Sequence, residues 1–165
     1  MQFAARAIII ILIFILTGIF CLPISTHAGT VAGIVRKTQG DAFVFHNGIK
    51  LPSAKGMRLY ENDILVTGAD GAVGLIFRDN SVITMSKNSR IVITEFKYEP
   101  ADDKLSLKTK IERGAMSYMS GVIAGMKKDA VKIETPHYVT CAVRGTRVLL
   151  KVTPHWTERK TLFGD

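Results

Sequence analysis

The stretch ETPHYVTCAVRGTRVLLKV, Glu134 to Val152, holds a histidine and a cysteine four residues apart, the residue types of an activated thiol nucleophile. On an α-helix His137 and Cys141 would lie one turn apart and could touch. Pro136 precedes them, however, and Tyr138, Val139 and Thr140 are aromatic or β-branched, the composition of a strand. Four residues along a strand keep two side chains on one face but about 13 Å apart, and proton transfer needs about 3 Å. A dyad within this segment is excluded by distance. A reactive Cys141 would need His46 or His155 brought in by the fold, and an apolar-flanked cysteine is most simply a small core residue.

The rest of the chain offers little more chemistry. His46, His137 and His155 are isolated, without the close Cys/His ligand pairs that zinc sites use. Asp102-Asp103 sits in a turn-like polar stretch, and Glu61 with Asp63 is the other acidic pair. Acid–base work would need burial that splits their pKa values. No glycine-rich loop leads into a helix to cradle phosphate. The expectation is a protein without catalytic residues, metal or cofactor.

The elements that would position any site are strands. From Gly29 onward short β-rich runs alternate with period two between turn residues. In SVITMS, Val82, Thr84 and Ser86 face one way, and Ser81, Ile83 and Met85 the other. Asn47-Gly48 is a favoured two-residue hairpin turn, and Asp70-Gly71, Asp79-Asn80 and Asn88-Ser89 are turn pairs of the same kind. Only GVIAGMKKDA is ambiguous between strand and helix. The fold class is therefore all-β, one domain of about ten short strands, as a sandwich, barrel or β-solenoid.

Before this domain comes a different composition. Arg6 is followed by an uncharged apolar run from Ala7 to Leu22, then by Pro23 and the small residues leading to Ala28. That order is the layout of a secretory signal peptide over residues 1–28, with cleavage after Ala28. The alternative is an uncleaved anchor, since a run of about 18 apolar residues nearly spans a bilayer. A lipid-modified Cys21 is disfavoured by bulky Phe20 before it. In each case the remainder lies outside the cytoplasm, in the periplasm or beyond. Loss of Cys21 with the leader leaves Cys141 without a disulfide partner. The net charge of +8 is spread along the chain with no long basic block, so nucleic acid is not the expected partner; a modest positive surface suits an anionic one.

Three blocks together resemble the FecR domain family. GTVAGIVRKTQGDAFVFHNG has its opening, a Gly-x-Val start and a Gly-Asp-Ala-x-Val strand. GMRLYENDILVTGADGAVGLIFRDNSVITMSKNSRIVI has the central block, through Asp63, Thr67, Gly68, Asp70, Gly71, Asp79 and Ser81. ETPHYVTCAVRGTRVLLKV has the closing one, through Thr135, Pro136, Arg144, Gly145 and Thr146. The resemblance covers residues 29–152 and leaves 153–165 as an irregular tail, where the family usually adds strands.

Read physically, these positions are framework: Asp63 accepting backbone bonds from the turn before it, Gly68, Gly71 and Gly145 at strained backbone, and Asp79, Asn80 and Ser81 closing their turn. The resemblance implies an exported stand-alone FecR domain, because only six residues precede the apolar run, too few for the cytoplasmic segment with which iron-transport regulators hold a sigma factor. The expected function is a non-catalytic envelope module that binds a protein or a glycan, with Arg144 and Arg147 the first candidates for partner contact. The membrane would be touched only through residues 7–22 if they are retained. The alternatives are a signalling component of iron-transport-type sigma-factor regulation and a purely structural envelope protein.

Overall fold

Alternation of buried and exposed residues, seen in β6 (Ala72–Phe77) and β7 (Val82–Met85), gives each strand one apolar face to hide. The computed structural model describes residues 29–141 and 146–163, and these build one all-β domain. Residues 1–28, expected to be an export leader, and Arg144 and Gly145 lie outside the described residues.

The remaining elements are β1 (Val31–Gln39), β2 (Ala42–His46), β3 (Ile49–Pro52), β4 (Arg58–Tyr60), β5 (Ile64–Thr67) and β8 (Arg90–Glu99), followed by β9 (Lys104–Met119) and a short helix α1 (Val122–Met126). After these come β10 (Val131–Glu134), β11 (Val139–Cys141), β12 (Thr146–Val152) and β13 (Thr157–Phe163). Pairing is antiparallel throughout the described sheet except between β9 and β10, which α1 connects as a crossover. A solenoid of stacked parallel coils is thereby set aside in favour of a curled, sandwich-like sheet.

The 16-residue β9 is the spine. Its first half pairs with β8 and β10, and its second half with β7 and β12. The sheet therefore curls into two leaves sharing one strand. Leaf I runs β4-β1-β6-β7-β9-β12-β13, and leaf II runs β3-β2-β5-β8-β9-β10-β11. Both turn their apolar faces inward on a single core, where Phe77 of leaf I stacks on Phe96 of leaf II with ring centroids 5.7 Å apart.

The structure corrects several sequence expectations. There are thirteen strands among the described residues rather than about ten. The segment 157–163, expected to be irregular, is β13, in full register with β12 from Thr157↔Val152 to Phe163↔Thr146. Its charges suit an edge position, where one side of the ladder faces solvent. KLSLKTKIE and AMSYM are one strand, because Gly114, at φ +88°, bends the chain without ending it. The ambiguous GVIAGMKKDA resolves into α1.

Candidate functional site

The motif residues converge on three buried polar nodes. At the first, Asp63 is buried at the foot of β5, its Oδ2 accepting the Tyr60 N–H at 2.8 Å and its Oδ1 meeting His46 Nδ1 at 2.6 Å. At the second, Thr67 donates its hydroxyl to the Ser86 carbonyl and accepts the Ser89 N–H. Beside it Asp70 accepts the Asp41 N–H, and Gly68 donates to the Asp41 carbonyl. Gly68 and Gly71 serve here by leaving room rather than by unusual φ, a correction to their expected role. A Cβ on Gly71 would come 2.1 Å from the Asp41 oxygen.

The third node joins both ends of the curl. Asp79 accepts the Ser81 N–H at 3.0 Å and the Ser81 hydroxyl at 2.7 Å, and the Ile123 N–H of α1 approaches its Oδ2 at 3.4 Å. Ser81 Oγ accepts the Gly121 N–H and lies 3.3 Å from the Tyr118 hydroxyl. Burial pushes the Tyr118 phenol up to about 12, and the Asp79 charge adds to that.

This raised value sets a pH prediction. Below pH ~10 the phenol is neutral in both states and its contribution is complete; as pH rises from ~10 towards ~12 only the unfolded chain ionises, so stability is lost. Urea unfolding at pH ~9 and ~11 should show the parent losing about 1.3 kcal/mol more than Tyr118→Phe over that interval. Equal losses would contradict it.

Thr135 and Pro136 start a turn in which the Thr135 hydroxyl donates to the Tyr138 carbonyl and accepts its N–H. An identical clamp recurs at Thr153-Pro154-His155-Trp156, between β12 and β13. The two turns touch through His137 Nε2, 3.3 Å from the Thr153 carbonyl, and Tyr138, whose hydroxyl donates to the Thr157 carbonyl. The repeated Thr-Pro-His-aromatic string was legible in the sequence but went unread there. β11, paired to β10, begins only at Val139, so Cys141 is on the strand while His137 lies in the turn before it; the segment is not helical, but the strand expected over both residues does not reach His137.

The unforeseen pair is His46 with Asp63, seventeen residues apart. It lies in a cleft of about 700 Å³ whose lining includes Tyr60, Arg58, Arg78 and Lys97. Asn47 Nδ2, which can only donate, lies 3.2 Å from His46 Nε2. Each ring nitrogen thus has a partner, Asp63 at Nδ1 and Asn47 at Nε2. The ring also packs on Tyr60 at 4.9 Å. With both nitrogens engaged, His46 ties the end of β2 to the turn before β5. Among the described residues no group of three or more His, Cys, Asp or Glu could hold a metal ion.

The outer faces of the two leaves differ in electrostatics. On leaf II cations gather in ion pairs on two carboxylates: Lys108 meets Glu95 at 2.6 Å, Arg90 meets Glu112 at 2.6 Å, and Lys97 and Lys110 join them at 3.4 and 3.8 Å. The Lys108 hydrogen bond holds the Glu95 carboxyl below its ordinary value.

On leaf I, cross-strand register lines up Lys37, Gly74, Thr84, Ser117, Leu149 and Lys160 from β1 to β13. The small central residues sink the surface into two adjoining hollows of about 500 and 570 Å³ that share Ala72 and Thr84. Arg36, Lys37 and Lys55 line one end; Lys151, Lys160 and a single acid, Glu158, line the other. Among the described residues none of those five cations makes an ion pair, although Lys151 lies 5.8 Å over the Trp156 ring. Arg147 stands on the same face, its guanidinium 3.9 Å from the Met119 sulfur.

A family model described as FecR protein matches residues 63–165. The match takes in β13 and starts at Asp63, whereas the motifs suggested residues 29–152; the preceding strands β1, β2 and β4 nonetheless share the one core. Comparison with curated proteins and with solved structures finds no match. Covering more than half of the chain, the family match establishes that this protein belongs to the FecR family.

Proposed function

We propose that this protein is a non-catalytic binding module of the cell envelope, delivered outside the cytoplasm by residues 1–28, and that it engages a macromolecule through the outer face of leaf I. The FecR family is envelope-associated and regulatory, which supports a role in signalling of the iron-transport type. The observation that carries the binding reading is the contrast between the leaves. On leaf II four cations share the carboxylates of Glu95 and Glu112, while among the described residues the five cations around the leaf I hollow make no ion pair and have Glu158 as the single acid lining it with them. Such a field attracts an anionic surface and speeds its encounter. The imidazole of His46, with a partner at each ring nitrogen, supports a binding rather than an acid–base role for the cleft it lines.

The test is photo-crosslinking in intact envelopes. A photoreactive side chain at position 117, on the trough floor, should give a saturable adduct with one macromolecule. Thr84→Trp, which fills the hollow at an exposed strand position that tolerates an aromatic, should abolish it. The same side chain at position 50, on exposed β3 of leaf II, should give none. Equal capture from both faces, or none from position 117, would refute the reading.

A further inference from the structure

We infer that the leaf I trough is a docking groove for one extended polypeptide segment of a partner protein, apolar in the middle and acidic at both ends. This rests on the binding-module reading and names its ligand. Three observations carry it: the length of the groove, its wall and its charge.

From Lys37 on β1 to Lys160 on β13 the register crosses five strand-to-strand steps, about 24 Å at ~4.8 Å per step. An extended chain covers that distance in about seven residues. Three adjacent strands floor the middle with Gly74, Thr84 and Ser117. The floor is thus long enough for one extended chain of about seven residues.

Along one side, the next row in register is Ile34, Ile76, Val82 and Met119. Ile34 and Met119 are exposed, so this aliphatic wall has not been spent on the core. It rewards an apolar side chain laid beside it. The hydroxyls of Thr84 and Ser117 below it can meet backbone amides. An extended peptide alternates its side chains, so one set can lie against the wall while the other faces solvent.

Among the described residues no aromatic ring lines either hollow. A sugar presents a flat C–H face that gains most from an aromatic plane, which favours a peptide over a polysaccharide. The cations lie at the two ends, with Arg36, Lys37 and Lys55 on one side of the floor and Lys151 and Lys160 on the other. Carboxylates at the ends of the segment therefore meet an excess of positive charge, three cations at one end and two against Glu158 at the other, while its centre stays neutral.

Binding to the full-length protein would be followed by fluorescence anisotropy with a synthetic peptide of about seven residues, glutamate at both ends and valine, alanine and leucine between. Micromolar binding is expected, weakening steeply between about 50 and about 500 mM salt. The double variant Lys37→Glu, Lys160→Glu should weaken it roughly thirtyfold, with unchanged thermal unfolding showing that the fold survives. Thr84→Trp should abolish it. A peptide with glutamine in place of both glutamates should bind at least about tenfold more weakly.

Equal binding of the acidic and neutral peptides, or insensitivity to the charge reversals, overturns the inference. So does tighter binding of polygalacturonate than of the acidic peptide. If position 117 still captures a macromolecule in envelopes while the peptide fails, the peptide assignment falls and the binding module stands. If neither occurs, both fall.

Discussion

Replacing Asp79 by alanine is expected to lower stability by about 3 kcal/mol or more and the melting temperature by roughly 10 °C. Asp79 is completely buried, and its carboxyl takes the Ser81 N–H and the Ser81 hydroxyl while facing the first amides of α1. Alanine removes all these acceptors at once. Each buried donor left without a partner costs about 1–3 kcal/mol. The loss also spreads, because Ser81 Oγ is the acceptor for the Gly121 N–H, and Asp79's own carbonyl accepts the Val122 N–H. The node thus fixes the start of the crossover that returns the chain to leaf II. Asp79→Asn keeps one acceptor oxygen and should recover about half of the loss. Thermal unfolding by circular dichroism decides it: an alanine variant melting within a degree or two of the parent would show that the node is not structural.

Much of this fold was legible, for a physical reason. Strands buried on one face betray themselves by alternation, and Ser81, Ile83 and Met85 point inward as their spacing indicates. Asn47-Gly48 forms its turn with positive φ at both residues. The strands that escaped notice were β3, β4 and β13, all at the edges of a leaf. An edge strand is held by one neighbour and may carry charge on both faces, so TERKTLF looks like a tail until β12 is seen to need a partner.

The candidate site was less legible because it is made of register. Lys37 and Lys160 belong to one row only through four intervening strands, whose pairings no local pattern states. His46 with Asp63 is similar: the pair follows from Phe45 lying opposite Ile64, which requires knowing that β2 and β5 are neighbours. Arg147 was singled out from its motif and does stand on the leaf I face, although the motif does not say why that face differs from the other.

Gly114→Ala should damage the protein most, with loss of the soluble folded form as the expected result. Gly114 is where β9 leaves β8 and joins leaf I, at φ +88°, a conformation that side chains resist. The steric problem is greater still. An added Cβ would stand 2.3 Å from Ser89 Oγ and 2.5 Å from Ser89 Cα, and the second contact is with backbone that no rotamer change can move. Relief would require β8 and β9 to part where Ser89 Oγ donates to the Ala115 carbonyl and accepts the Ala115 N–H. Both leaves hang on β9, so a local separation there becomes a global one. Gly48→Ala isolates the conformational part of the cost: Gly48 has φ +81° with nothing near its missing Cβ, and this variant should fold with a penalty of about 1–2 kcal/mol. Soluble yield and the β-sheet circular-dichroism signal of the two variants, compared side by side, give the answer. A Gly114→Ala protein as well folded as Gly48→Ala would mean that the two leaves do not depend on a close-packed bend in their shared strand.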